Sequence, residues 1–296
     1  MQKEFKEKQQ LAQEIVYSFL PQEEGLQKSC LMAMNYSVKA PGKRLRPLLM
    51  METYRMFHGE FPNKVLEHFM AALEFIHTYS LVHDDLPAMD NDEYRRGRKT
   101  THIVYGHAMG ILAGDALLNY AYETAIGSLF EPLADAERIG MAMKVLSEKA
   151  GIFGMVGGQV VDVENEGNPL SMEQLDFIYR LKTSALLECA MMIGAILAGA
   201  TKKQVDEIEA IARNIGIAFQ IQDDILDITS TTEVLGKPVG SDEKNQKMTY
   251  AVLKGVEQSA KDVEKLSRQA VEKLHEMKLE DEFVSELLLS LIHRKK

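Results

Sequence analysis

The chain has 296 residues, of which 46% are hydrophobic and 26% charged, a composition typical of an ordinary globular protein. Its formal net charge of −10 argues against general nucleic-acid binding, which needs a basic face. The two cysteines, Cys30 and Cys189, are far apart and lack metal-type spacing, so they argue against a disulfide framework and fit a reducing cytoplasm.

Helical periodicity dominates from the N-terminus onward. Residues 1–8 mix acids and bases without an apolar core, which argues against a signal peptide. A helix is predicted over residues 3–20, and apolar residues at three- and four-residue steps predict another over residues 66–76. The remaining predicted helices lie over residues 138–157, over 172–200, around the isoleucine stripe Ile217, Ile221, Ile225 and Ile228, and over 256–277.

Neither sustained two-residue alternation nor a hairpin turn signal is found, which predicts an all-α fold with residues 1–296 as a single domain. Polar stretches interrupt the helices at residues 39–47, at 91–100 and from 229 to about 248. The last is long enough to be a functional or disordered loop. The longest uncharged apolar stretch, residues 189–200, is too short to span a bilayer, so we expect no stable membrane insertion.

An acidic cluster lies on the second half of the isoleucine-rich helix. Gln220, Asp223, Asp224 and Asp227 are spaced i, i+3, i+4 and i+7, which places them on one helix face. Stacked carboxylates repel one another, and a hard divalent cation such as Mg²⁺ compensates them, commonly together with substrate phosphates. The alternative is a solvated acidic face, which the apolar neighbouring residues disfavour.

A first acidic cluster, Asp84, Asp85 and Asp90, follows another apolar helical segment. In an unbroken helix, residues six apart would not share a face. Pro87 disfavours helical geometry at Leu86, so the helix is predicted to end nearby and Asp90 to fold back toward Asp84. An ordinary helix end followed by an acidic turn is the alternative.

Basic side chains follow the first cluster and also lie upstream of it. They are Arg95, Arg96, Arg98 and Lys99 around Gly97, and Lys43, Arg44 and Arg46 after Gly42. Arginine and lysine suit phosphate oxygens, and each alone would equally suit a surface ion pair. Lys182 lies in an otherwise apolar helical stretch and is expected to have a partner. In combination, the acids indicate metal ions and the bases a diphosphate.

With these motifs, the sequence resembles the trans-prenyl diphosphate synthases, and among them the bacterial farnesyl diphosphate synthases. The resemblance covers nearly the whole chain. It rests on residues 42–47, His77, residues 84–90, residues 95–97, residues 157–162, Lys182 with Thr183, residues 219–227, and Gly236-Lys237 with Lys247.

The resemblance implies an all-α bundle around a central active-site cavity, a cytoplasmic homodimer, and prenyl diphosphates as substrates. The implied reaction condenses isopentenyl diphosphate head-to-tail with dimethylallyl and geranyl diphosphate to give farnesyl diphosphate. Three Mg²⁺ ions, for which Mn²⁺ is a possible substitute, would ionise the allylic diphosphate. Asp84 and Asp90 would hold two ions and Asp223 a third, with Asp85, Asp224, Asp227 and Lys247 in supporting roles.

The resemblance also implies roles for the basic and polar residues. Lys182, Thr183 and Gln220 would be catalytic, with the Thr183 and Gln220 oxygens near the allylic carbon. A helical histidine such as His77 is often merely packed, and only the motif indicates substrate binding. The allylic diphosphate would contact Arg95, Lys182, Thr183, Gln220 and Lys237, and isopentenyl diphosphate would contact Lys43, Arg46, His77 and Arg96.

The resemblance also implies that product length depends on Tyr79 and Ser80, because in this family the residues just before the first aspartate motif form the floor of the product cavity. Tyr79 lies five residues before Asp84, roughly 7–8 Å along a helix. The basic C-terminus, residues 292–296, is expected near the mouth of the site.

Several alternatives stay open. A geranylgeranyl or geranyl diphosphate synthase would share every motif. A class I terpene cyclase would need no second diphosphate site, and a non-catalytic partner subunit would tend to have lost aspartates. A structural helical protein would not explain the ordered motifs.

Overall fold

The computed structural model describes residues 2–132, 134–229, 249–279 and 281–292. Helices make up nearly all of its regular structure, so the all-α prediction is confirmed. The chain forms two compact units: the first takes Met1–Met51 and Glu60–Met143, and the second Glu52–Gly59 and Lys144–Lys296. The expectation that residues 1–296 act as a single domain stays a prediction.

The first unit contains the predicted N-terminal helix and the helix that ends at the first acidic cluster. Its elements are α1 (Gln2–Ser18), α2 (Lys28–Val38), most of α3 (Leu45–Met56), α4 (Lys64–Asp84), β1 (Tyr94–Arg95), β2 (Arg98–Lys99), α5 (Thr101–Tyr105), α6 (His107–Gly127), a 3₁₀ turn (Ser128–Phe130) and the first half of α7 (Ala136–Ala150).

Helix α4 is the core of this unit and packs mainly against α6. It begins at an asparagine cap, because the Asn63 side chain accepts a hydrogen bond from the Leu66 N–H at 3.1 Å. The apolar face predicted over residues 66–76 is fully buried. Its members are Leu66, Phe69, Met70, Leu73 and Ile76.

The short ribbon of β1 and β2 was not predicted. Arg96 and Gly97 link the strands with φ of +53° and +75°, as in a type I′ turn. The sequence prediction was wrong here because two-residue strands are too short to show alternation. The turn also lacks the Asn-Gly or Asp-Gly dipeptide that usually marks it.

The second unit begins with the second half of α7 and contains the remaining helices. They are α8 (Met155–Glu164), α9 (Met172–Ile178), a π-helical segment (Tyr179–Ser184), α10 (Ala185–Ala198), α11 (Lys202–Thr229), α12 (Tyr250–Lys254), α13 (Val256–Glu276) and α14 (Glu282–Ile292). Helix α11 packs against α10 and α13, and the π segment packs against α8 and α11. The helix predicted over residues 256–277 is confirmed as α13.

The helix predicted over residues 138–157 is interrupted. Helix α7 ends at Ala150 and α8 starts at Met155. A Cβ atom on Gly154 would lie 2.1 Å from the Lys149 carbonyl oxygen, so only glycine fits this break. The prediction failed because apolar periodicity continues across the glycines.

The isoleucine stripe of α11 is only partly buried. Ile221 and Ile225 are buried and Ile217 is half-buried, whereas Ile228 is 48% exposed. Ile228 is the penultimate residue of the helix. The polar stretch that follows lies at residues 230–248, outside the described residues.

Residues Met172–Ala198 form the single helical stretch predicted for 172–200, with the π segment in its middle. In the described part of the chain, this stretch alone is long and apolar enough to cross a membrane by length and composition. This stretch is longer than the uncharged run at residues 189–200 because it includes a few charged residues. Since 78% of its apolar window is buried inside the protein, it also matches the core helix of a soluble protein.

Arg44 ties the loop between α2 and α3 to α4. Its side chain is buried, and Nη1 pairs with Glu74 Oε1 at 2.9 Å. Nη2 donates to the carbonyl oxygens of Val38 and Ala40 at 2.7 and 2.9 Å and to the Tyr17 hydroxyl at 3.1 Å. The sequence placed Arg44 among phosphate-binding bases, but these contacts give it a structural role.

We predict that Arg44→Ala lowers the free energy of unfolding by about 3–5 kcal/mol, because it leaves the buried Glu74 carboxylate without its cation. Urea denaturation followed by circular dichroism measures the change. Arg268→Ala is the control, because it breaks an ion pair to Glu264 in which both side chains are 64% exposed. It should change stability by less than about 0.5 kcal/mol. Equal losses in both variants would contradict the structural role of Arg44.

Candidate active site

The first acidic cluster lies where α4 ends. Asp84 is its last residue, and the N–H of Asp90 donates to the Asp84 carbonyl oxygen at 2.9 Å. The chain therefore folds back after Pro87, as the sequence predicts. The Asp84 side chain is half-buried and that of Asp90 is exposed.

Asp85 is the buried member of this cluster, with 4% exposure. Arg95 Nε donates to its Oδ1 at 2.6 Å, and Arg95 Nη2 lies 3.6 Å from Asp92 Oδ2. Burial raises the pKa of Asp85 to about 6, although the Arg95 guanidinium opposes that rise. Arg95, predicted to bind the allylic diphosphate, thus also holds Asp85 in place.

A basic pocket with an empty volume of about 490 Å³ lies beside Asp85 in the same unit. His77, Arg95 and Arg96 line it together with Glu74 and Thr78. Burial lowers the pKa of His77 well below 6.5, and the guanidinium groups of Arg46, Arg96, Arg95 and Arg44 lower it further. A neutral imidazole among guanidinium groups is a suitable environment for an anion.

The loop after α2 supports the turn of the ribbon. Arg96 Nη1 donates to the Pro41 carbonyl oxygen at 2.9 Å. A Cβ atom on Gly42 would lie 2.5 Å from that same nitrogen, so glycine lets the loop pass close to Arg96. Of the other predicted isopentenyl diphosphate ligands, Lys43 is exposed and Arg46 half-buried.

Tyr79 and Ser80 lie on α4, one turn before the first acidic cluster. The Tyr79 side chain is buried, and its ring centroid lies 5.8 Å from that of His83 in an edge-to-face arrangement. Burial raises the pKa of Tyr79 to about 12, so its phenol is neutral. The Ser80 hydroxyl donates to the His77 carbonyl oxygen at 2.9 Å.

The second acidic cluster lies on α11, where Asp224 is 2% and Asp227 4% exposed. Asp223 and Gln220 are half-buried. This burial is incompatible with a fully solvated acidic face. The Gln220 amide Nε2 donates to Asp224 Oδ1 at 3.3 Å, as expected for residues one turn apart on a shared face.

The π segment carries the other predicted catalytic side chains of the second unit. Lys182 Nζ pairs with Asp162 Oδ2 at 2.5 Å, which supplies the partner expected from the sequence. The Thr183 hydroxyl donates to Gln220 Oε1 at 2.9 Å. A Cβ atom on Gly158 would lie 2.3 Å from the Lys182 backbone nitrogen, so glycine lets α8 approach the π segment. Single π turns frequently occur at functional sites.

These side chains share one pocket with an empty volume of about 710 Å³. Lys182, Thr183, Gln220 and Asp224 all line it, whereas Asp223 and Asp227 do not. The sequence prediction missed Tyr179, whose hydroxyl donates to Asp224 Oδ2. The one feature of the sequence that could have indicated this role is a tyrosine placed one helical turn before Thr183.

Residues 27–287 match the model of a known protein family, polyprenyl synthetase. The chain belongs to the polyprenyl synthetase family. It is 47% identical to the farnesyl diphosphate synthase of Geobacillus stearothermophilus over 221 residues, 75% of this chain and 73% of that relative. It is 46% identical to the geranylgeranyl diphosphate synthase of Cyanophora paradoxa over 246 residues, 82% of this chain and 80% of the relative.

Solved structures of the family confirm the isoprenoid-synthase type of fold. An FPP/GFPP synthase from Zymomonas mobilis is similar at a TM-score of 0.82 and 31% identity, over 99% of this chain and 97% of its own. A geranyltransferase from Helicobacter pylori, complexed with magnesium and isoprenyl diphosphate, has a TM-score of 0.83 and 29% identity, over 97% of this chain and 95% of its own.

The carboxylates of both clusters are hard oxygen donors, which Mg²⁺ prefers. Among the described residues, no three His, Cys, Asp or Glu side chains are grouped so that they hold a metal ion by themselves. The carboxylate donor set fits Mg²⁺, which typically takes one or two carboxylates plus phosphates and water. Lys237, Lys247 and residues 293–296 lie outside the described residues.

We predict that His77 makes the folded protein less stable in mild acid. Because its folded pKa lies well below the ordinary 6.5, the unfolded chain binds the proton more readily. Its contribution to stability is complete above pH 6.5, begins to fall below that pH, and is lost progressively as the pH falls toward and through the lower folded pKa. Urea denaturation at pH 7.5 and at pH 5.5 should show a smaller acid-induced loss in His77→Gln than in the parent protein. The same loss in both proteins would contradict the assignment.

Proposed function

We propose that this polyprenyl synthetase makes farnesyl diphosphate from isopentenyl diphosphate and the allylic starters dimethylallyl and geranyl diphosphate. The observation that carries the proposal is found within the first unit. There, the acidic end of α4 adjoins the pocket of His77, Arg95 and Arg96. Carboxylates suit a diphosphate that arrives with metal ions, and the arginines suit one that arrives without them.

Magnesium, when bound, would neutralise the charge that builds on the leaving diphosphate. We assign two ions to Asp84 and Asp90 and a third to Asp223, with Mn²⁺ as a substitute. Lys182 would hold the leaving oxygens, together with Arg95 and Lys237. Isopentenyl diphosphate would be held by Lys43, Arg46, His77 and Arg96.

Thr183 and Gln220 are assigned an electrostatic role in the step that follows. The Thr183 and Gln220 oxygens would face the positive charge that develops on the allylic carbon. A pocket that excludes water suppresses hydrolysis of the cation. The bond from that carbon to the diphosphate oxygen breaks, the double bond of isopentenyl diphosphate attacks the carbon to form the new carbon–carbon bond, and the released diphosphate accepts the proton that the isopentenyl unit loses.

An assay with the purified protein, Mg²⁺, isopentenyl diphosphate and each allylic starter tests the proposal. We expect a fifteen-carbon product, and no product when EDTA removes the metal. A twenty-carbon product would favour the second candidate, a geranylgeranyl diphosphate synthase, which the 46% identity to the Cyanophora enzyme supports. Absence of condensation with every starter would overturn both candidates.

We predict that Tyr79→Ala shifts the product toward twenty carbons or more. The truncation removes a buried ring one turn before Asp84 and so opens space for a longer chain. Tyr79→Phe is the matched control, because it keeps the ring and should keep the fifteen-carbon product. Chromatography of the dephosphorylated products measures both, and unchanged lengths in Tyr79→Ala would refute the role.

We also propose a cytoplasmic homodimer without stable membrane insertion. Exposed apolar side chains on α5 and α6 support a protein interface, since such patches commonly mark association sites. They are Ile103, Val104, Ile111 and Leu112, each 40–53% exposed. Sedimentation velocity reports the mass, and a species of 33.3 kDa alone at micromolar concentration would contradict the dimer.

A further inference from the structure

A chain of hydrogen bonds links three elements of the second unit along the wall of the pocket that Lys182 also lines. The Thr183 hydroxyl on the π segment donates to Gln220 Oε1 at 2.9 Å. On α11, Gln220 Nε2 donates to Asp224 Oδ1 at 3.3 Å. Asp224 Oδ2 accepts from the Tyr179 hydroxyl and, at 2.9 Å, from the N–H of Tyr250 at the start of α12.

The carboxylate fixes the direction of this chain. A carboxylate only accepts hydrogen bonds, so the Gln220 amide must turn its NH₂ group toward Asp224 and its carbonyl oxygen toward Thr183. Thr183 then donates its single hydroxyl hydrogen to Gln220. Toward any other group in the pocket, the Thr183 oxygen presents only lone pairs.

Asp224 is a suitable anchor because it is 2% exposed and its donors are themselves held in place. Tyr179 is buried, and its hydroxyl oxygen also accepts from the Tyr250 N–H at 3.1 Å. The phenol therefore bridges the carboxylate and the α12 backbone. Without it, a buried carboxylate loses a donor, and hydrogen bonds to a charged group are among the stronger ones in proteins.

We propose that Tyr179 is a positioning residue of the reaction, which acts through Asp224 and Gln220 to orient the Thr183 and Gln220 oxygens toward the allylic carbon. The inference rests on the proposed function. Oxygens preorganised in this way stabilise a developing cation, whereas a flipped Gln220 amide would turn NH₂ hydrogens toward the π segment. Tyr179 itself need not touch the substrate.

Tyr179→Phe tests the proposal, because it removes the hydroxyl and keeps the ring. We expect kcat to fall about tenfold or more, because small misplacements of catalytic groups slow the chemical step strongly. The KM of each substrate should stay within about twofold. Tyr120→Phe is the control, since it removes another partly buried phenol, which donates to the Phe19 carbonyl oxygen at 3.0 Å. It should leave kcat unchanged.

A double-mutant cycle separates positioning from mere structural support. If Tyr179 acts through Gln220, Tyr179→Phe should have little further effect on the single-turnover rate in a Gln220→Leu background. Additive effects, or a Tyr179→Phe kcat within twofold of the parent, would overturn the inference. A parent enzyme without condensation activity would overturn the proposed function instead, so the two failures are distinguishable.

Discussion

A carboxylate removed from water must receive hydrogen bonds or a cation, and this requirement organises both acidic clusters. In the first unit, buried Asp85 is held by Arg95, which lies on the ribbon that also carries Arg96. In the second unit, buried Asp224 is held by Gln220, Tyr179 and the backbone of Tyr250. The side-chain donors belong to elements that carry predicted substrate ligands: the ribbon for Arg95, and α11 and the π segment for Gln220 and Tyr179.

The buried carboxylates differ in exposure from the residues assigned to metal ions. Asp84 and Asp223 are half-buried and Asp90 is exposed, whereas Asp85 and Asp224 are buried and paired with protein donors. Carboxylates that solvent reaches are therefore available for metal ions, whereas the buried carboxylates hold neighbouring protein donors in place.

Local sequence rules predicted the features that depend on short-range geometry. The shared face of Gln220 and Asp224 follows from helical spacing, and the return of Asp90 toward Asp84 follows from Pro87. The family resemblance supplied the individual substrate and metal roles. Spacing alone predicts only that acidic and basic side chains bind metal ions and a diphosphate.

What the sequence did not reveal depends on contacts between distant residues. Arg44 was grouped with phosphate-binding bases because its ion pair with Glu74 spans 30 positions. Tyr179 was missed because its contact with Asp224 spans 45 positions. The break between α7 and α8 was missed because it is set by backbone crowding at Gly154, which hydrophobic periodicity does not record.

We expect the acidic clusters to bind metal together with a diphosphate and only weakly without one. Electron paramagnetic resonance with Mn²⁺ tests it directly, by titration of the protein with and without an unreactive allylic thiodiphosphate. Mn²⁺ alone should bind weakly, and several ions should bind tightly with the analogue, an effect that Asp84→Ala should diminish. Equally tight binding without the analogue, or no gain in binding with it, would contradict a metal site shared with the diphosphate.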